Sequence, residues 1–292
     1  MRNAGVCVVF MCMTAAVNFT SADNIRGINI DFVTIGHAGN AADATGYGAV
    51  GHNYRIGKYE ITNAQWNTFT TAAGAPTGNG SGYSYSAYWT GAQQPTNNVS
   101  WYEAAQFCNY LTSGDKSKGA YQFSGNNTNP GSFQGIDRAS SISTYGITYV
   151  IPTEDEWYKA AYFKPNASGY SLYANGTNTA PIAGVTNYNG SAPWNITNGA
   201  QEQNGTYDMM GNVWEWNETL VFDYYRGIRG GSYNNYDDVL ASSYRSRHTP
   251  YYESDYMGFR VAEIPEPATL LLLGLGGLVL RLRSGQVFRR KV

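Results

Sequence analysis

The sequence predicts an α+β domain of short strands, few helices and much irregular loop, and three observations predict it. The composition is rich in loop formers and amphipathic rings, with 34 Gly and 25 Tyr among 292 residues, and it favours hydrogen-bonded loops over helical bundles. Three Ser or Thr residues are each followed three positions later by Glu or Gln, the signature of a capped helix start. Stretches rich in Gly, Asn and Ser run over residues 74–98, 112–147 and 164–206. Loops that long inside a compact domain are functional or held by something non-local, such as bound ions.

Taken in chain order, Met1 and Arg2 lead into the apolar run 6–17, with small residues near Ser21 and Ala22. Residues 1–22 therefore read as a secretory signal peptide, against the competing reading of a buried N-terminal strand. Strands follow at 28–35 and 53–59, joined by a Gly/Ala/Asp loop. Helices then begin at Thr62 (with Gln65), Ser100 (with Glu103) and Thr153 (with Glu156). In each, the hydroxyl accepts from the amide three residues on, whose side chain reaches back to the cap amide. The second helix places Trp101, Ala104, Ala105, Cys108 and Leu111 on one face, and the third turns Trp157, Ala160 and Ala161 toward a core. The globular domain is expected over 23–263. Residues 264–292 differ in kind: Pro265-Glu266-Pro267, an apolar stretch at 268–280, then Arg281, Arg283, Arg289, Arg290 and Lys291. An apolar helix of that length spans about 20 Å at roughly 1.5 Å per residue, against a hydrocarbon core of about 30 Å. It is marginal as a permanent anchor, and its basic tail would stay on the cytoplasmic side, so the domain faces outward.

Charge is sparse, with a formal net charge of -2 and no basic run in the middle of the chain. Nucleic acid is therefore not an expected partner. Cys7 and Cys12 lie in the signal region, which leaves Cys108 alone in the exported domain. No intramolecular disulfide can form there, and Cys108 reads as a packing residue rather than a reactive thiol. No Gly-rich phosphate loop, Gly-x-Ser-x-Gly or Cys-x-x-Cys occurs.

Five segments in order carry a resemblance. They are Tyr54-Arg-Ile-Gly-Lys-Tyr-Glu-Ile-Thr-Asn-Ala-Gln-Trp66, residues 95–109 with Asn98-Val-Ser-Trp-Tyr-Glu-Ala104, and Ile151-Pro-Thr-Glu-Asp-Glu-Trp-Tyr-Lys-Ala-Ala161. Tyr207-Asp-Met-Met-Gly-Asn-Val-Trp-Glu-Trp216 and Arg229-Gly-Gly-Ser-Tyr233, running on to Gly258-Phe-Arg-Val261, complete the set. Together they resemble the formylglycine-generating-enzyme (sulfatase-modifying factor) family over roughly residues 28–262, which implies a C-type-lectin-like fold. The C-terminal order of Pro-Glu-Pro, short apolar helix and Arg cluster resembles the bacterial PEP-CTERM sorting signal. That signal implies retention at the membrane until a dedicated sorting enzyme processes the protein.

Asp208, Gly211, Val213 and Glu215 surround a glycine turn. Two carboxylates and the carbonyls of a tight loop suit Ca²⁺, a hard cation that takes six to eight oxygens. The family resemblance places a structural calcium site on these same four positions, and implies a second site whose ligands do not align through 187–206. The competing reading is a structural turn with Trp214 and Trp216 in the core. Arg229-Gly-Gly-Ser reads as an architectural bend. Phe259 is expected in the core, with Arg260 a buried ion-pair partner, for instance of one of the helix carboxylates.

The resemblance implies that formylglycine-generating members use two cysteines between the Gly-Gly-Ser bend and the Gly-Phe-Arg strand, binding copper there and oxidising a substrate cysteine with oxygen. Thiolates suit that work as soft Cu(I) ligands and exchange nucleophiles. Here the interval 233–257 holds no cysteine, so neither copper nor that oxidation is expected. It offers Asp237, Asp238, Arg245, Arg247, His248 and Glu253 beside Tyr233 and five further tyrosines. An acid–base or metal set would need His248 within about 3 Å of Asp237, Asp238 or Glu253. As a binding surface the same interval pairs rigid Tyr area with adaptable polar groups. Its candidate residues are Tyr233, Asn235, Tyr236, Asp238, Tyr244, Arg245, Arg247, His248 and Tyr251. Expected partners are a peptide, glycan or protein ligand, the sorting enzyme, and the membrane through the C-terminal segment. The favoured reading is a surface-retained, non-catalytic ligand-binding or matrix-associated module. The alternatives are a divergent enzyme and a structural component of the extracellular polymer layer.

Overall fold

Turn chemistry sets the first elements. Arg26 and Gly27 both take left-handed backbone (φ 53° and 87°), the geometry a tight hairpin needs. They join β1 (Asp23–Ile25) to β2 (Ile28–Ile30), which pair antiparallel. The computed structural model describes residues 22–78 and 87–265. The predicted signal, apart from its last residue, and the apolar stretch 268–280 lie outside the described residues. Among those described, no helix is long and apolar enough to cross a membrane.

The single strand expected over 28–35 is in fact two. It breaks at Asp31, whose carbonyl accepts from Lys58 N at 2.8 Å. β2 stays with β1, while β3 (Phe32–Ile35) pairs with β4 (Tyr54–Gly57). β4 also pairs with β12 (Ala262–Ile264), and β12 with β7 (Thr148–Val150), giving a sheet of order β3-β4-β12-β7. Strands from the two ends of the domain thus lie side by side. A second four-stranded sheet has the order β10-β9-β8-β11, from β8 (Trp214–Val221), β9 (Tyr225–Arg229), β10 (Ser246–His248) and β11 (Met257–Gly258). β11 runs parallel to β8.

All three expected helices form with complete capping boxes: α1 (Asn63–Ala73), α2 (Trp101–Ser113) and α4 (Glu154–Tyr162). α2 is buried nearly all round rather than along one stripe. Its inward polar groups are bonded; Asn109 Nδ2, for example, donates to the carbonyls of Lys116 and Tyr121. Cys108 is fully buried on this helix, and burial pushes its thiol pKa up. The stretch 112–147, expected as loop, instead holds the hairpin β5 (Tyr121–Phe123) and β6 (Phe133–Ile136) and a fourth helix, α3 (Arg138–Tyr145). Residues 164–206 carry no helix or strand. Their side chains are used non-locally: Gln203 Nε2 donates to Ala161 O, and Asn204 Nδ2 to Ala160 O and Phe163 O. These are terminal carbonyls of α4, which have no intrahelical partner.

The core is aromatic. Trp66, Phe69, Phe107 and Phe259 meet in edge-to-face and stacked pairs with centroids 5.2–6.0 Å apart, geometry that adds to simple burial. Trp101, Trp157 and Trp216 are fully buried, and each indole N–H has an acceptor: Asn217 O, Glu215 Oε2 and Val99 O.

Three charged clusters cross this core. Arg138 bridges Glu156 (2.8 Å) and Glu218 (3.0 Å). Glu156 also accepts from its cap amide, Thr153 N, and faces His52 at 3.1 Å. Burial alone would raise the Glu156 pKa, but Arg138, His52 and the cap amide outweigh it and bring it down to about 2. The unfolded value is higher, so ionised Glu156 stabilises the fold above about pH 4.5, and this contribution is lost as pH falls toward 2. Glu156→Gln is expected to flatten the acid arm of a stability-versus-pH curve between pH 4.5 and 2, removing up to about 3 kcal/mol of pH dependence. Chemical denaturation at stepped pH measures it.

Candidate functional site

The loop leading into β8 is built on backbone that few residues tolerate. Asp208 and Asn212 take left-handed φ (56° and 58°), as does Gly211 (80°). A Cβ at Gly211 would collide with the Asn187 carbonyl oxygen, which instead accepts from Asn212 N at 2.9 Å. The Asn212 side chain ties the loop on both sides, donating to Glu60 Oε2 (2.6 Å) and accepting from Asn187 Nδ2 (3.0 Å) and Trp194 N (2.9 Å). Glu60 Oε1 accepts from Val213 N at 3.2 Å. Glu60 belongs to the first family-like segment, but nothing in its local sequence marks it as the brace of a loop some 150 residues away.

Glu215 follows on β8 and is fully buried. Its carboxylate meets the Arg260 guanidinium through two contacts of 2.5 and 2.6 Å, and accepts from Trp157 Nε1 at 2.8 Å. The partner of Arg260 is therefore the strand carboxylate Glu215. The helix carboxylates are engaged elsewhere, because the fold brings the last segment against β8: Glu154 binds Arg229 and Arg245 (2.7 and 2.5 Å), and Glu156 binds Arg138.

Asp208 Oδ1 accepts from Trp194 Nε1 at 3.1 Å, while Oδ2 is buried without a hydrogen-bond partner. Burial pushes the Asp208 pKa up to about 7 and that of Glu202 up to about 8, and it raises Glu60 as well. Asp208 interacts electrostatically with Glu60, Glu202 and Glu215, and all four carboxylates interact with the Arg260 guanidinium. Among the described residues no group of three or more His, Cys, Asp or Glu is arranged to hold a metal ion. A cation at this loop would therefore rely on main-chain oxygens as well as carboxylates. Asp208 keeps a buried, unused oxygen that such a cation would take, while three protein donors already occupy Glu215.

The interval 233–257 divides between scaffold and surface. Tyr233 is buried, its hydroxyl donating to Asp255 at 3.1 Å. Asn235 Oδ1 accepts from Ser232 N and Oγ across the Gly-Gly-Ser bend. Arg245 is paired with Glu154 and lies over the Tyr47 ring. These three hold the fold. Tyr236 (68 % exposed), which caps the 3₁₀ turn Asp237–Leu240, and Asp238 within it face solvent, and the exposed Tyr244 ring lies tilted 6.0 Å from that of Trp214. Arg247, His248 and Tyr251 gather at the β10 edge. Arg247 lies 4.7 Å over the Phe222 ring, and His248 stacks on Tyr252 at 3.9 Å and 8°. Burial lowers the His248 pKa, with no carboxylate charge opposing the shift. Among the described residues no carboxylate is paired with His248.

The other two histidines have separate surroundings: His37 lies against Phe163, and His52 against Glu156. A cavity of about 520 Å³ opens beside His37, Asp43, Phe163 and Tyr170 and shares no lining residue with either candidate region.

Residues 34–264 match the sulfatase-modifying factor enzyme 1-like domain, and residues 263–286 match the PEP-CTERM protein-sorting motif. Among curated proteins, the chain is 29 % identical over 184 residues to the chaperone protein LppX of Paenibacillus barcinonensis, covering 56 % of this chain and 61 % of that one. It is 25 % identical over 248 residues to a hercynine oxygenase of Mycolicibacterium thermoresistibile, covering 72 % of this chain and 50 % of the relative. The chain thus spans only half to three-fifths of the length of these curated relatives. Among solved structures, Treponema denticola variable protein 1 superposes with a TM-score of 0.59 at 22 % identity, over 85 % of this chain and 99 % of that one.

Glu215→Gln is expected to destabilise the fold by about 3–5 kcal/mol, because it leaves the Arg260 charge buried and uncompensated. Adding Arg260→Met should recover part of that loss. Urea midpoints of the two variants against wild type make the comparison.

Proposed function

The chain belongs to the sulfatase-modifying factor enzyme 1-like family, and on that premise we propose that it is an exported, surface-retained member that binds a ligand rather than making formylglycine. One observation carries this reading. The interval after the Gly-Gly-Ser bend holds no cysteine, and its solvent-facing residues include Tyr236, Asp238, Tyr244, Arg247 and Tyr251 in place of a reactive pair. The sorting motif supports export and recognition by a sorting enzyme. In the proposed organisation residues 1–22 direct secretion, 23–263 form the domain, and 264–292 contact the membrane before or instead of processing. The hercynine oxygenase likeness favours a divergent enzyme as the second reading. Against it stand the separate surroundings of the three histidines.

The same proposal includes a structural Ca²⁺ held by the carboxylates of Asp208 and Glu215 and the carbonyls of Gly211 and Val213. Its support is the unused buried oxygen of Asp208 and the excess of buried carboxylate over guanidinium. A bound Ca²⁺ would supply charge neutralisation. The chain's own residues do the rest: Glu60 and Asn212 fix the loop, and Arg260 orients Glu215.

Two measurements test this reading. Chelation of the full chain should lower its melting temperature by about 5 °C or more, as loss of a ligand at a hundred times its Kd implies for a domain of this size. In Asp208→Ala the chelator should change nothing; a wild-type curve indifferent to chelator would remove the calcium claim. The purified full chain on glycan and peptide arrays should bind a defined subset, and Arg247→Ala with Tyr251→Ala should weaken that binding. Silence on both arrays from a folded protein would contradict ligand binding.

A further inference from the structure

Three arginines among the described residues are buried: Arg226, Arg229 and Arg260. Arg229 and Arg260 each have a carboxylate at 2.5–2.8 Å. Arg226, on β9 and only 7 % exposed, has none. Its Nη1 donates to the Glu218 carbonyl at 2.7 Å, and its Nε is buried with no partner. The nearby Glu218 carboxylate is already committed to Arg138 and to the Tyr121 hydroxyl. What holds the Arg226 guanidinium is aromatic: it sits 4.0 Å from the Trp101 ring centroid and 5.7 Å from that of Phe133. Ring faces offset only part of the cost of a buried charge without a counter-ion, which is several kcal/mol.

Arg226 has polar and aromatic neighbours on the adjoining strands and turn. Strand register places His248 of β10 and Leu220 of β8 directly beside it. Half-buried Tyr102 packs against Trp101 and Phe133. Tyr224 and Tyr251, 50 % and 45 % exposed, are side-chain neighbours. The β8–β9 turn that carries this rim is strained, because Phe222 and Asp223 both take left-handed φ (50° and 56°), and Phe222 is 74 % exposed. A bulky residue in that region of backbone space is an outlier that points to a function for the turn.

The geometry points to a binding site, centred on Arg226 and rimmed by Tyr102, Tyr224 and Tyr251, for the carboxylate-bearing sugar rings of an acidic polysaccharide. This rests on the ligand-binding reading above and deepens it by naming the ligand class. A guanidinium takes a carboxylate through paired N–H···O bonds. Tyrosine rings offer flat apolar faces to the C–H side of a pyranose and hydroxyls to its polar edge. An acidic peptide would find the cation but little strand to extend along, since edge strand β10 has three residues.

The test is titration calorimetry of the full chain in detergent, with oligogalacturonate, its neutral methyl ester and poly-glutamate as probes. Oligogalacturonate should bind, and the methyl ester should bind about tenfold or more weakly. Arg226→Gln and Tyr224→Ser should each weaken oligogalacturonate binding about tenfold or more, while Tyr236→Ser should not. Tyr224 is exposed, so its variant keeps the test decisive if Arg226→Gln fails to fold. Equal binding of the methyl ester, preference for poly-glutamate, or no binding of oligogalacturonate would overturn the inference. Binding indifferent to both variants would overturn it while leaving ligand binding intact at another surface. Silence on the arrays would remove both readings.

Discussion

The fold turns on the buried contact between Arg260 and Glu215. Arg260 lies just before the last strand, and besides Glu215 its guanidinium donates to Gly57 O and Tyr207 O at 3.0 and 2.8 Å. Glu215 in turn accepts from Trp157 of α4. One ion pair thus joins the end of β4, the loop before β8, β8 itself, α4 and the closing segment. Both partners are fully buried, so neither charge is tolerable without the other. The arrangement requires the closing segment to return to the first sheet, and the pairing of β12 with β4 is the backbone expression of the same requirement.

Around that contact the molecule separates two kinds of residue. The loop over 208–213 and the Gly-Gly-Ser bend use left-handed backbone, buried amides and collision-limited glycines, so their sequence is constrained by geometry. The β8–β9 turn and the β10 edge carry exposed Phe222, Tyr224 and Arg247, which the core does not need. A scaffold fixed by buried polar bonds lets such a surface vary without unfolding the domain, because surface changes away from caps and buried pairs cost little.

How much of this was legible depends on how local each signal is. The capping boxes at Thr62, Ser100 and Thr153 were readable because both bonds of the motif join residues three apart. α3 was not: Arg138-Ala-Ser-Ser-Ile-Ser-Thr-Tyr is poor in helix formers, and its cap Asp137 has Ser140 where a capping box has Glu or Gln. Burial of Arg260 was legible, but its partner was not, since only the topology brings residues 215 and 260 together. The same holds for Glu60, and for Arg226, which in sequence resembles any strand arginine. Of the residues expected on one ligand surface, Tyr233, Asn235 and Arg245 turned inward because each has a buried acceptor or donor to satisfy.

The family scaffold is present here, and the central proposal is that its thiol chemistry is not. The most direct measurement incubates the full chain with oxygen, Cu(I) and a cysteine-containing sulfatase-type peptide, and follows the peptide by mass spectrometry. The account predicts that the peptide cysteine is not converted to the aldehyde above a protein-free control. Conversion that depends on the folded protein would contradict it.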